Sequence, residues 1–279
     1  MTLRSLLRTL GFVAFCVVIA TDGLLRRPRT LVARAAWMHR WSKRLAQFLG
    51  IAIHTLNIPE EPGAMVCNHL SYLDIVVLGA LRPSVLVSKD EVRSWPVIGS
   101  ITATAGTIYV NRKSARDAME KNTQIADALR AGVSVLFFPE GTSSDGQGVL
   151  PFRSALFQPL VEADVPVWPA HLSYSLPEDE GGEKAVRERI AYWGKMAFAT
   201  HVVGFLGLLN VTAHLRCGTQ PVMTNDRKEA AQLCHQQIVE LGKLQREEFA
   251  LMQQAKHLLD RPVQRVSPLH GESGMLSRG

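Results

Sequence analysis

Positions 68–74 read Asn68-His69-Leu70-Ser71-Tyr72-Leu73-Asp74, directly after a short apolar run. On a regular helix a histidine and an aspartate five residues apart point about 140° apart and do not meet. They can meet if His69 occupies a strand-to-helix turn and Asp74 the first helical turn, and Ser71-x-x-Asp74 has the capping-box pattern of such a start. Asp74 would then accept the Nδ1 proton of His69 and leave Nε2 as a base. A His–Asp pair without an adjacent serine nucleophile suits removal of a proton from a substrate hydroxyl. The plainer alternative is a helix-start acid beside a turn histidine.

Two further stretches could contribute. Phe137-Phe138-Pro139-Glu140-Gly141-Thr142-Ser143-Ser144 follows an apolar strand, and the carboxyl end of a strand is where α/β folds place active-site loops. Gly141 would let the backbone approach a ligand closely. Gly106-Thr107-Ile108-Tyr109-Val110-Asn111-Arg112 reads as a strand ending in an arginine, by itself an ordinary solvated residue. A rival chemistry is a thiol dyad. Cys67 and His69 share a face of an extended strand and could form an acyl-enzyme, although Cys67 ends an apolar run and reads more simply as a buried thiol. No Gly-x-Ser-x-Gly elbow supports a serine hydrolase.

The elements that must position these residues alternate. Strands are expected at 64–67, 84–88, 106–110, 133–138, 165–174 and 209–216. Helices are expected at 72–81, from a Ser114 cap to about 131, at 152–162, 193–208 and 226–259, with a loop or short helix over 90–104. Pro166 and Pro169 suggest an edge or irregular position for the strand that holds them. Strands alternating with helices indicate an α/β domain with a mixed, largely parallel sheet flanked by helices.

The chain has 279 residues, 47% hydrophobic and 20% charged, which excludes a disordered chain, a collagen and a disulfide scaffold. Its charge is uneven. Residues 1–50 carry nine basic residues and one acid, Asp22, for a net +8, while the remainder carries 22 bases and 24 acids. A nucleic-acid binder would place its basic charge on the folded domain, so no nucleic-acid partner is expected. Basic residues beside apolar ones point instead to an anionic membrane surface. Thirteen uncharged residues separate Arg8 from Asp22; extended at both ends, this helix could reach across a bilayer. Over 31–49, Trp37, Trp41, Leu45 and Phe48 form one helical stripe and Arg40, Lys43, Arg44 and Gln47 another, the pattern of an interfacial helix. Packing of that helix on the domain, or a cleaved signal peptide ending near Val18-Ile19-Ala20, are the alternatives. Cys16, Cys67, Cys217 and Cys234 lack metal-like spacing and read as reduced thiols on the cytosolic side. The expected organisation is 1–50 as membrane-anchoring helices, 51–259 as the catalytic domain and 260–279 as a disordered tail.

Taken in order, the three blocks resemble the glycerolipid acyltransferase family, which contains the 1-acylglycerol-3-phosphate acyltransferases. Asn68, His69 and Asp74 match its Asn-His-x4-Asp block. Gly106, Ile108 and Arg112 match its Gly-x-Ile-x-x-x-Arg strand. Phe138, Pro139, Glu140, Gly141 and Thr142 match its Phe-Pro-Glu-Gly-Thr-Arg block. Val165-Pro166-Val167-Trp168-Pro169 matches a fourth block loosely, and Trp193-Gly194 through His201 looks like the family's C-terminal part. The expected protein is a monotopic membrane O-acyltransferase, held on the cytoplasmic face of the inner membrane by the basic residues 1–50; the resemblance implies an acyl-CoA or acyl-carrier-protein donor and a lysolipid acceptor, and this chemistry needs no metal or cofactor. His69 and Asp74 would be catalytic; Asn68, Arg112, Glu140, Gly141, Thr142, Ser143 and Arg153 would face substrate. Ser143 departs from the pattern, standing where an arginine suited to a phosphate is usual. Members acting on lyso-ornithine lipid carry serine or threonine there. A phosphate pocket would then be completed by Arg112, Lys89 or Arg153. Outside this reading stand a thiol hydrolase and a non-catalytic membrane scaffold.

Overall fold

Apolar runs too short for helices become the inner strands of a sheet. The computed structural model describes residues 3–95, 97–110 and 115–259; Arg112, the Ser114 cap and the tail 260–279 lie outside them. The strands are β1 (Ala52–Leu56), β2 (Ala64–Cys67), β3 (Ser84–Lys89), β4 (Ile108–Val110), β5 (Ser134–Phe137), β6 (Val167–Ser175) and β7 (Thr212–Cys217). They form one sheet in the order β1-β7-β6-β2-β5-β3-β4, parallel throughout except for the antiparallel β6–β7 pair. Helices α1 (Leu3–Arg26), α2 (Leu31–Leu49), α3 (Leu73–Gly79), α4 (Ile98–Thr104), α5 (Ala115–Arg130), α6 (Gln158–Ala163), α7 (Gly182–Ala185), α8 (Phe198–Leu206) and α9 (Arg227–Leu259) surround it. Met1–Lys243 forms one unit, and a second begins at Leu244.

Side chains alternate between the sheet faces as strand geometry requires. Met65, Cys67, Leu86 and Leu136 join one core with Trp37, Trp41, Leu73 and Phe205. Ala64, Val66, Val85, Val135 and Phe137 join another with Ile125, Leu160, Cys234 and Ile238. Because both faces are covered, β2 and β5 are buried at every residue and read as continuous apolar runs.

The alternating α/β organisation expected from sequence is present, with three differences. Strand β1 had no sequence signal: its burial pattern is largely exposed. Residues 193–197 are not helical, and α8 begins only at Phe198. Strand β6 is internal, paired on both sides, despite its prolines. Pro166 precedes it. The Pro169 carbonyl faces β7 and accepts from the Gly218 N–H at 2.8 Å, so its missing N–H falls on the same side, just where the β6–β7 ladder ends at Ala170.

The N-terminal helices also depart from expectation. Trp37 and Trp41 are buried against the domain, so the stripe anticipated at a lipid interface faces protein. An amphipathic helix looks alike in either setting, since both bury one apolar stripe. Thr30 caps α2 by accepting from the Ala33 N–H, and Gly50 ends it at φ 70°, a conformation glycine adopts without strain. Helix α1 turns Phe12, Phe15 and Ile19 inward while Leu7, Leu10, Val13, Val17, Val18 and Leu25 remain exposed. It is long and apolar enough to cross a membrane.

Candidate active site

Parallel pairing of β2 with β5 sets Met65 beside Leu136 and Val66 beside Phe137. The loops leaving both strands therefore emerge side by side at the carboxyl edge of the sheet. One carries Asn68 and His69, the other Pro139 to Ser144.

His69 and Asp74 meet as the turn-then-helix reading requires. His69 Nδ1 lies 2.8 Å from Asp74 Oδ2. The same oxygen accepts the Leu70 and Ser71 N–H groups at 2.7 and 2.9 Å. Half of the capping box thus forms: the acid reaches back to the Ser71 N–H, while the Ser71 hydroxyl makes no bond. Oδ1 accepts the hydroxyl of Tyr174, 2.8 Å away on β6. Asp74 is completely buried and collects four donors, so its carboxylate oxygens are satisfied and its orientation is fixed. With Nδ1 committed to a carboxylate, Nε2 is the nitrogen left for chemistry. The imidazole stacks on Phe138 at 4.1 Å between ring centres, which fixes its plane.

The His69 peptide is held from both sides by the second loop. Glu140 Oε1 accepts its N–H at 3.2 Å, and its carbonyl accepts the Ser144 N–H at 2.9 Å. Glu140 is 3% exposed. Burial pushes its carboxyl up to about 8, against the opposing pull of backbone N–H groups at His69 and Leu150, and nearby Asp74 pushes the same way as burial. Its other oxygen is buried without a partner. Gly141, at φ 73°, turns the chain after Glu140, and Thr142 is exposed beyond it.

The remaining sequence candidates fall into place unevenly. Asn68 is buried, with both ends of its amide bonded to the Leu172 backbone, at 2.9 and 2.8 Å; it extends the β2–β6 contact and holds His69 in place. The Ser143 hydroxyl donates to the Tyr192 carbonyl, and the Tyr192 N–H donates to the Leu70 carbonyl at 2.8 Å, so the 191–194 loop is tied to both motif loops. Arg153 is exposed, its N–H bonded to the Pro139 carbonyl. Arg112 is outside the described residues. Cys67 is fully buried, its thiol pushed well above its ordinary value by burial and then by Asp74, so a thiolate nucleophile is disfavoured. Among the described residues, no three His, Cys, Asp or Glu side chains group as a metal would need.

A cavity of about 460 Å³ opens beside the dyad. Its polar lining includes His69, Lys89, Thr107, Thr142 and Ser143, with Ser42, Ser88 and Thr102 further round, and the rest is mostly apolar, from Tyr72, Leu86 and Phe138 to Phe12, Ile19, Trp37 and Trp41 on the N-terminal helices. Its volume is that of a small-molecule site. The Thr107 hydroxyl is buried there without a partner.

Tyr174 and Tyr192 carried no sequence signal for this role, and Ser144 and Thr107 stood in their motif stretches without being singled out. Tyr174 reads only as one more residue of an apolar strand, and its distance of 100 positions from Asp74 hides the pairing.

The family model described as Acyltransferase matches residues 50–173. A 1-acyl-sn-glycerol-3-phosphate acyltransferase of Neisseria gonorrhoeae is 35% identical over 171 residues, 61% of this chain and 66% of that protein. Lyso-ornithine lipid O-acyltransferases of Rhodobacter capsulatus and Pseudomonas aeruginosa are 35% and 37% identical, over 62% of this chain and 63% and 69% of theirs. The matches with the first two of these relatives thus span slightly less than two thirds of their lengths. The crystal structure of the 1-acyl-sn-glycerophosphate (LPA) acyltransferase from Thermotoga maritima shares the fold, with a TM-score of 0.59, 21% identity and coverage of 85% of this chain and 96% of that one. The motif blocks, the fold and these relatives agree: the chain belongs to the acyltransferase family.

Proposed function

We propose that the protein transfers a fatty acyl group from an acyl thioester, acyl-CoA or acyl carrier protein, to the free hydroxyl of a lysolipid in lipid biosynthesis. The observation that carries this reading is the His69–Asp74 pair, 2.8 Å apart, on the wall of a largely apolar cavity. The acceptor hydroxyl attacks the thioester carbonyl as Nε2 of His69 takes its proton. The tetrahedral adduct then collapses, expelling the thiolate, which takes the proton back from His69. The thioester is already activated, so the protein supplies a base and positioning. The acyl chain lies in the apolar part of the cavity, and the head group lies toward Gly141, Thr142, Ser143 and Lys89; Arg112 and Arg153 are the further cations that the family resemblance implies.

The leading acceptor is 1-acylglycerol-3-phosphate, giving phosphatidic acid. A lyso-ornithine lipid is the second reading. It is favoured by Ser143, whose hydroxyl is spent on the Tyr192 carbonyl where a phosphate-reading arginine would otherwise stand, and by the names of two relatives. The outward apolar face of α1 supports anchoring in a membrane, proposed here as the cytoplasmic face of the inner membrane. An acceptor panel on membranes of an overexpressing strain tests the reading. Lysophosphatidic acid should be acylated in preference to lysophosphatidylcholine; acylation of lyso-ornithine lipid alone would select the second acceptor; transfer to no lysolipid would refute the function.

A further inference from the structure

The first fifty residues contain one acid, Asp22, and it gathers the N-terminal helices into a wall of the cavity. Its Oδ2 accepts the indole N–H groups of Trp37 at 2.8 Å and Trp41 at 2.9 Å and an Arg40 N–H at 3.3 Å. Its Oδ1 accepts from Arg26 Nε at 2.6 Å. Both tryptophans line the cavity together with Phe12, Cys16 and Ile19 of α1. A buried indole needs a partner for its N–H, so one carboxylate fixes the orientation of both rings. Their other contacts are tight: Phe15 meets Trp41 edge-on at 5.7 Å, and the Arg44 guanidinium lies 4.9 Å from the same ring. A Cβ on Gly23, next to Asp22, would come within 3.2 Å of Trp37, so the helix backbone itself backs that indole.

We infer that Asp22, through Trp37 and Trp41, is a positioning residue that sets the acyl-chain length the enzyme prefers. The inference rests on the cavity's holding the acyl chain. A rigid wall admits a chain of one length and penalises a longer one by overlap or a shorter one by unfilled space; an indole free to rotate moves that wall. A shaped apolar pocket can discriminate a missing methylene by roughly 10–200-fold, so loosening two ring walls should read out as lost discrimination before it reads out as lost catalysis.

The test is competition among saturated acyl-CoA donors from decanoyl to stearoyl, at one saturating lysophosphatidic acid concentration, with the full-length protein in membranes. Wild type should show a sharp optimum. Asp22→Leu, which leaves both indole N–H groups without a partner, should flatten it by about tenfold while keeping turnover on the preferred donor within a few-fold. Asp22→Asn, which keeps a carbonyl acceptor, should fall between, and it carries the test if the leucine variant does not fold. Trp41→Phe, which keeps a ring but no N–H, should broaden the profile as well, and combining it with Asp22→Leu should add little, as expected of residues acting as one unit. An unchanged donor profile in folded Asp22 variants, even with lowered thermal stability, would overturn the inference and leave the function intact. Wild type that transferred from no donor would overturn the functional reading and the inference with it.

Discussion

Two aspartates organise the cavity lining, and they do it differently. Asp74 is fully buried and draws its four hydrogen bonds from a histidine, two backbone N–H groups and a tyrosine. Three of those donors lie within five residues of it. Asp22 lies on the surface side of the N-terminal helices, 20% exposed, and its partners are side chains four to nineteen residues away. Local backbone donors make Asp74 part of a turn that can form in only one way, and that turn aims one proton acceptor. The Asp22 cluster holds together surfaces that could have packed otherwise, and it shapes space. In the proposed mechanism the first arrangement governs the chemical step, and in the inference drawn from Asp22 the second governs the fit of what reacts.

That contrast can be broken most severely at His69. His69→Ala should lose on the order of 10²–10⁴ in rate, the range for a positioned general base. Cys67→Ala should remain active, because its thiol is buried away from chemistry. Steady-state rates of the two variants on the same donor and acceptor check both, and an inactive Cys67→Ala with intact folding would transfer the chemistry to the thiol.

Tyr174→Phe should cost less, about tenfold, roughly the worth of one hydrogen bond to a charged group. Without the phenol, Asp74 loses one of its four donors and holds the imidazole in place less firmly, so kcat should fall while KM changes little. An unaltered kcat would reduce Tyr174 to packing.

Glu140→Gln should leave activity near neutral pH within a few-fold, since a carboxyl raised to about 8 is mostly uncharged there. Its clearest effect is on stability. Between the ordinary value of 4.5 and about 8, the folded protein keeps a proton that the unfolded chain has released. Stability from this group is therefore full below 4.5 and is lost as pH rises through the folded value. Thermal melts across that window should slope downward for wild type and flatten for Glu140→Gln.

The smallest effect on turnover is expected on the outer face of α1. Val13→Asp and Val17→Asp, at two exposed positions, should weaken association with anionic vesicles in a flotation assay while leaving the rate in detergent nearly unchanged. Retention on vesicles equal to wild type would mean that this face does not meet lipid.

The same contrast explains what could be read from sequence. His69 and Asp74 were legible because a short turn confines them, and the fold was legible because β2 and β5, buried on both faces, appear as unbroken apolar runs. Tyr174 was not, because the parallel crossover brings it to Asp74 from a distant strand. Trp37 and Trp41 were misread because tryptophans at helical spacing look the same against lipid and against protein, and only the acceptor at Asp22 distinguishes the two. β1 was missed because an exposed edge strand lacks an apolar face. Ser143 was noticed as a departure from the motif, yet its bond to the Tyr192 carbonyl depends on a loop 49 residues away.

The central claim is direct transfer driven by His69 without a covalent acyl-enzyme, and the most direct measurement is release of free thiol from acyl-CoA with and without lysophosphatidic acid, followed by mass analysis of the quenched protein. The account predicts that thiol release requires the acceptor, fails in His69→Ala and leaves the protein unmodified. A stoichiometric burst of thiol without acceptor, with an acyl group found on Cys67, would contradict it.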